Sequence, residues 1–289
     1  MAYPAPQQES ETGVRVVSGA SSSAWSSVEQ VIVGLVTTAS APRMTPARQR
    51  VVWQLLLGAL NDGALNDGAS RSVDVSARSV LDCGGGSGSL AVPLAELGAQ
   101  VTVVDVSVDA LATLVRRAAE YQVLDRVRAV QGDVESLSDA VGGDEFDLVL
   151  AHGVLEAVDD PAAALVGLAA ATRPGGWVSI VVANPVAVVL SRVLAGAADS
   201  ALELVRAQLA RGEVTSGRGG FDAAALSLLC GQAGLRVESV HGIGVFTEIF
   251  PGGDSDNGAL AELESMTAGL SPYRDIAARV HVLARKSAA

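Results

Sequence analysis

With 289 residues, 49% of them hydrophobic and only 3% aromatic, the chain can fill the core of one large α/β domain or two small ones, built mainly from Ala, Val and Leu. A net charge of −12 and a pI near 4.6 exclude a broad electrostatic grip on nucleic acid and leave room only for a local arginine patch, since Lys286 is the sole lysine. Cys83 and Cys230 lie too far apart for a disulfide framework or a zinc site, and no apolar run approaches the ~20 residues of a membrane span, so a cytoplasmic protein without metal or membrane is expected.

Residues 1–24, rich in Ser, Ala, Pro and Gln, read as a disordered tail, with one globular domain over 25–289. Two helical patterns follow from Ser26 to Leu60; the second starts at Thr45-Pro46 and places Val51, Val52, Leu55, Leu56 and Leu60 on one face. A repeated Gly-Ala-Leu-Asn-Asp between residues 58 and 68 reads as a loop. From there short apolar runs alternate with helix-length segments. Ser79–Asp82, Gln100–Asp105, Val127–Gln131, Phe146–Leu150 and Val178–Val182 are predicted strands, and Leu90–Leu97, Val108–Tyr121 and Pro161–Thr172 are predicted helices. This alternation is the pattern of a Rossmann-like, doubly wound and mostly parallel sheet. A helical insertion over 184–222 interrupts it, and then a helix from Asp222 to Ala233 and strands at Leu235–Val245 and Arg279–Ala284 would close the sheet with an antiparallel edge.

The strongest chemical signal is Val80-Leu81-Asp82-Cys83-Gly84-Gly85-Gly86-Ser87-Gly88, a buried strand ending in an acid and a glycine turn that opens a helix. Glycines let backbone approach a ligand, and the helix start offers free N–H groups. A tight β-to-α turn needs glycine anyway, so the loop alone is weak. Asp105-Val106 ends the next strand about 20 residues on, where an acid accepts hydrogen bonds from a ribose diol; the bland reading of Asp105 is an N-cap for the following helix. His241 and His281 fall in apolar strand patterns and read as structural, and Asp159-Asp160 before Pro161 reads as a helix start, not a metal pair.

Spacing alone does not separate a nicotinamide binder from an adenosylmethionine binder. The first loop resembles the Asp-x-Gly-x-Gly-x-Gly form of class I S-adenosylmethionine-dependent methyltransferases. Gly132-Asp133-Val134 resembles that family's adenine corner, Leu150 to Glu156 its segment after the fourth strand, and Arg173-Pro174-Gly175-Gly176 its loop into strand five. Most of the chain is similar to the tRNA uridine 5-oxyacetic acid (carboxymethoxyuridine) carboxyl methyltransferases, through Arg48-Gln49 with Trp53, Gly84-Gly85-Gly86, His152 to Glu156, Arg173 to Gly176, Asn184, Gly242 to Phe246, Pro272-Tyr273 and Val280 to Lys286. That resemblance implies S-adenosyl-L-methionine as cofactor, with Arg48, Gly84, Asp105, Asp133 and His152 among its contacts; Asp82, Gly85, Gly86, Val106 and Val134 complete the candidate cofactor site.

The departures fall on the substrate side. Where the family has a lysine-rich segment, this chain has Arg211 to Gly220, and where it has an aromatic-rich stretch, this chain has Thr247 to Pro251. Both changes remove phosphate neutralisation or stacking surface for RNA. Three functions are therefore expected in competition: a methyltransferase acting on a carboxylate of a modified tRNA uridine, a small-molecule O- or N-methyltransferase with the insertion as lid, and a cofactor-binding pseudoenzyme, which intact Asp82, Asp105 and glycines oppose. A carboxylate acceptor is ionised at neutral pH and needs no base, whereas a phenol or amine would profit from one, with His152 or Glu156 as candidates. No residue type or spacing marks a dedicated base.

Overall fold

A computed structural model describes residues 47–61, 75–76, 78–211, 220–247 and 258–288. The tail, the first helical pattern, the body of the repeated loop and residues 212–219 lie outside the described residues. The described elements are α1 (Ala47–Leu60), β1 (Ser79–Cys83), α2 (Ala91–Glu96), β2 (Gln100–Asp105), α3 (Val108–Glu120), β3 (Val127–Gln131), α4 (Leu137–Val141), β4 (Phe146–His152), α5 (Pro161–Ala171), β5 (Thr172–Ala183), α6 (Pro185–Leu194), α7 (Ala198–Arg211), α8 (Ala223–Gln232), β6 (Leu235–Ile243), α9 (Gly258–Thr267), α10 (Tyr273–Ile276) and β7 (Arg279–Lys286).

The strands form one seven-stranded sheet in the order β3-β2-β1-β4-β5-β7-β6. β1 to β5 pair in parallel, and β7 runs antiparallel to both β5 and β6. Central strands are nearly continuous apolar runs, as burial on both faces requires: only the first residue of β1 is not buried. Helix starts are chemically marked. Asp160 accepts from the N–H groups of Ala162 and Ala163 ahead of Pro161, Asn184 accepts from Val186 ahead of Pro185, and Asp222 accepts from Ala225 at the start of α8. The Asp159-Asp160 pair thus begins a helix.

One core packs α5 and α8 on the sheet through Leu165, Leu168, Leu226 and Cys230. The other packs α1, α2 and α3 on the opposite face through Leu56, Leu60, Leu94 and Leu114. Each such leucine contributes about 1.5–3 kcal/mol by leaving water, so Leu168→Ala would cost about 2–5 kcal/mol once the cavity is counted. The predicted strand at 178–182 is longer in the structure. β5 begins at Thr172, directly after α5, because the Arg173 to Gly176 segment bulges within the strand, where pairing jumps from Phe146–Thr172 to Leu148–Trp177. Chain order reverses between β1 and β4, so the loops at their carboxyl ends diverge and leave a crevice.

Candidate cofactor site

β1 delivers the glycine loop to this crevice. The Gly84 N–H donates to the Val104 carbonyl at 2.7 Å, which ties the loop to β2. Gly86 has φ +54°, and a Cβ there would meet only Asp105 Oδ2 at 3.8 Å, so the backbone faces open space on this side. Asp82 sits beneath the loop. It is 3% exposed, and a Cβ on Gly85 would lie 2.5 Å from its carboxylate. Burial, aided by the charge of Asp105, pushes its pKa up to about 7. Asp82 therefore supports the loop from below while the backbone at Gly86 stays uncovered. From α3, Arg117 Nη1 donates to the Ser87 carbonyl at 2.8 Å and holds the loop's far end, a role nothing in the sequence pattern announces.

Asp105 is held by two backbone donors, Gly86 N–H to Oδ2 at 2.9 Å and Ser107 N–H to Oδ1 at 2.8 Å. The helix cap belongs instead to Ser107, whose hydroxyl accepts from Ala110 N–H. A carboxylate offers about four acceptor positions, so two remain for a vicinal diol. Beside it Val106 is 65% exposed, an apolar side chain left uncovered at a strand end. Asp133 and Val134 arrive at the end of the neighbouring β3. Gly132 N–H donates to the Asp105 carbonyl at 3.2 Å, the Asp133 carboxylate accepts from Glu135 N–H at 3.0 Å, and Val134 packs half-buried on the core.

β4 closes the other flank. A Cβ on Gly84 would lie 2.7 Å from Val154, so the segment after β4 rests on the glycine loop. His152, at the strand's last position and half-buried, shares a 2.8 Å hydrogen bond between Nε2 and Ser179 Oγ. Desolvation, with Arg279 nearby, lowers its pKa to about 4, so the ring is neutral at neutral pH. Glu156 accepts from Ala183 N–H at 3.2 Å, which joins this segment to the end of β5. Arg48 is in the first turn of α1, and its side chain lies outside the described residues.

Toward the β6 edge the sequence motifs meet in space. Phe246 and Tyr273 form a tilted aromatic pair, 6.0 Å between ring centroids and 51° between ring planes. Glu264, fully buried on α9, accepts from the N–H groups of Val245, Phe246 and Thr247. That clamp was illegible in the sequence, where Glu264 is one acid among 32 acidic residues. Asn184 donates to the carbonyls of Asp275 and Ala277, which fastens the start of the insertion to the segment before β7.

Adenosine fits these residues. The loop backbone at Gly86 is open, Asp105 is fixed with acceptor positions to spare, and Val106 and Val134 offer apolar surface for a flat ring. Among the described residues no cluster of His, Cys, Asp and Glu could hold a metal ion, and no helix is long and apolar enough to cross a membrane.

Residues 81–178 match the family described as methyltransferase domain. The chain is 29% identical over 212 residues to the tRNA 5-carboxymethoxyuridine methyltransferase of Escherichia coli K12, covering 72% of this chain and 79% of that one. It is 39% identical over 104 residues to the ubiquinone biosynthesis O-methyltransferase of Albidiferax ferrireducens, covering 36% and 40%. In fold it is similar to the crystal structure of a sarcosine dimethylglycine methyltransferase from Galdieria sulphuraria, described there as putative, with TM-score 0.52, 12% identity, and 83% and 85% of the two chains covered. The crevice geometry and these likenesses agree on an S-adenosylmethionine-dependent methyltransferase, with its methyltransferase domain at residues 81–178.

Proposed function

We propose that the enzyme methylates a carboxylate on a modified tRNA uridine, in the cytoplasm. The supporting observation is the length of the likeness to the tRNA enzyme. A match of 212 residues is longer than the 81–178 methyltransferase domain and takes in acceptor-side residues, whereas the O-methyltransferase match covers only 36% of the chain. S-adenosylmethionine, when bound, supplies an electrophilic methyl group on a sulfonium. The protein's part is placement. Asp105 would hold the ribose hydroxyls, Val106 and Val134 the adenine faces, Gly84 to Gly86 the methionine end, and Arg48 its carboxylate. A carboxylate acceptor arrives ionised, so no side chain has to remove a proton. The neutral His152 ring suits this site, since a cation there would compete with the sulfonium for the acceptor's charge. Residues 184–222 act in this reading as a lid over the acceptor.

The acidic chain needs local positive charge to hold tRNA. Arg43, Arg50, Arg192 and Arg218 would supply it as a positive rim around the pocket mouth; Arg43 and Arg218 lie outside the described residues, Arg50 is exposed, and Arg192 donates to the Ser200 carbonyl and hydroxyl. Purified enzyme incubated with methyl-labelled adenosylmethionine and tRNA from a strain lacking the gene tests the proposal. Label in a uridine carboxyl ester, read by nucleoside mass spectrometry, is the expected result. Unlabelled tRNA alongside a labelled small phenol or amine would replace this reading with the metabolite one.

A further inference from the structure

All three histidines of the chain lie in one row across four strands. His152 on β4 pairs in register with Val181 on β5, Val181 with His281 on β7, and His281 with His241 on β6. Directly opposed residues share a face, and Ser179, two residues before Val181, shares it as well. The polar atoms meet in single file. His152 Nε2 is 2.8 Å from Ser179 Oγ, Ser179 Oγ is 2.9 Å from His281 Nε2, and His281 Nδ1 is 3.4 Å from His241 Nδ1. Ser179 and His281 are fully buried. An apolar pair in these places would satisfy the sheet without hydrogen-bond partners, so structural packing does not call for this arrangement.

We propose that His152, Ser179, His281 and His241 form a hydrogen-bond relay that fixes whether His152 Nδ1 presents a proton or a lone pair to the methyl acceptor, making Ser179 and His281 positioning residues for the transfer. The assignment rests on the carboxylate reading above for the acceptor's chemistry, but not for the relay itself. A neutral imidazole has one N–H and one lone-pair nitrogen, and a hydroxyl has one proton. Each link in the row holds one proton, and the buried Ser179 hydroxyl, whose partners among the described residues are the two rings, must donate to one and accept from the other, so all links point the same way. In one state His241 Nδ1–H donates to His281 Nδ1, His281 Nε2–H to Ser179 Oγ, and the Ser179 hydroxyl to His152 Nε2; His152 Nδ1 then carries a proton. In the other state every link is reversed, and Nδ1 is a lone pair. His152 Nδ1 has no hydrogen-bond partner among the described residues. A carboxylate offers only lone pairs, so it selects the first state and is oriented by an uncharged donor that leaves its negative charge on the reacting oxygen.

The surroundings keep the row neutral. Burial lowers all three pKa values, those of His152 and His241 to about 4, and the charged groups that act on them are the cations Arg279 on β7 and Arg274 on α10, together with the other rings. Val154, two residues beyond His152, touches the glycine loop, so the row ends beside the donor site.

Three histidines make the test direct. Long-range proton–nitrogen NMR on the labelled full chain with adenosylhomocysteine reports tautomer and protonation of each ring. In the wild type, three neutral rings at pH 7 with one dominant tautomer each are expected. Ser179→Ala and, separately, His241→Asn at the far end should each change the His152 tautomer ratio by more than about twofold, because a row of shared protons transmits the break. With tRNA as acceptor, Ser179→Ala should lower kcat by roughly tenfold, the scale of a misoriented acceptor, while affinity for adenosylhomocysteine stays within about twofold. Identical His152 nitrogen shifts in wild type and both variants would overturn the relay. An altered tautomer ratio with no activity on tRNA would leave the relay standing and discard the tRNA reading.

Discussion

The two halves of the sheet are built by different means. On the donor side, β1 to β4 and their carboxyl-end loops form the site largely from backbone: the Gly86 and Ser107 N–H groups fix Asp105, and the Gly84 and Gly132 N–H groups tie neighbouring strands together. On the acceptor side, β5 to β7 and the insertion are joined by isolated buried side chains, Glu264 to three N–H groups, Asn184 to two carbonyls, and Ser179 to two histidines. Backbone-built geometry tolerates sequence change around it and preserves a common cofactor. Side-chain clamps change with single substitutions, which is how one fold serves many acceptors.

The largest expected effect breaks an acceptor-side clamp. Glu264→Ala leaves three N–H groups, one buried and two partly buried, without a partner and should cost about 3–5 kcal/mol of stability, read by urea denaturation. A loss below about 1 kcal/mol would mean water replaces the carboxylate and the clamp is unimportant. Next is Gly86→Val on the donor side. A Cβ at this position meets nothing closer than 3.8 Å, so the fold should lose only about 1–3 kcal/mol from the left-handed backbone, whereas adenosylmethionine binding should fall at least about a hundredfold. Binding at wild-type strength would remove the loop from the site.

A pH experiment sharpens the same contrast. Asp82 ionises near 3.8 in an unfolded chain and near 7 in the fold. The native state holds the extra proton between those values, so this group's contribution to stability falls as pH rises through that window, by at most about 1.4 kcal/mol per unit, and the penalty is complete above pH 7. Asp82→Asn has no proton to lose. Its denaturation midpoint should gain on the wild type from pH 4 to 7 and then run parallel; parallel curves throughout would show that Asp82 is ionised under the loop. The smallest effect is expected from Arg48→Lys, which keeps charge and loses the planar fork. It should weaken adenosylmethionine and adenosylhomocysteine alike by about 1 kcal/mol, and unchanged titration of both would detach α1 from the cofactor.

The donor half was legible because its signals are local. Apolar runs gave the strand positions, glycines marked the turn, and the interval from loop to Asp105 follows from one βαβ unit. Ser107, not Asp105, caps α3, a choice that needs the hydroxyl's position and not only the residue type. The acceptor half depends on long-range pairs. Glu264 reaches back 17 to 19 residues, and Ser179 meets His281 across 102, separations that no periodicity encodes. Arg173 to Gly176 has the composition of a loop yet stays within β5 for a related reason, because Pro and Gly advertise a break that the neighbouring strand overrides.

The most direct measurement of this division is calorimetric titration of adenosylhomocysteine into wild type, Asp105→Ala and Glu264→Gln, which keeps the clamp's shape. A preformed donor site requires Asp105→Ala to lose about 1.5–3 kcal/mol of affinity, as hydrogen bonds to a charged acceptor are removed, and Glu264→Gln to bind as the wild type does. Equal binding by wild type and Asp105→Ala, or a loss in Glu264→Gln as large as that in Asp105→Ala, would contradict it.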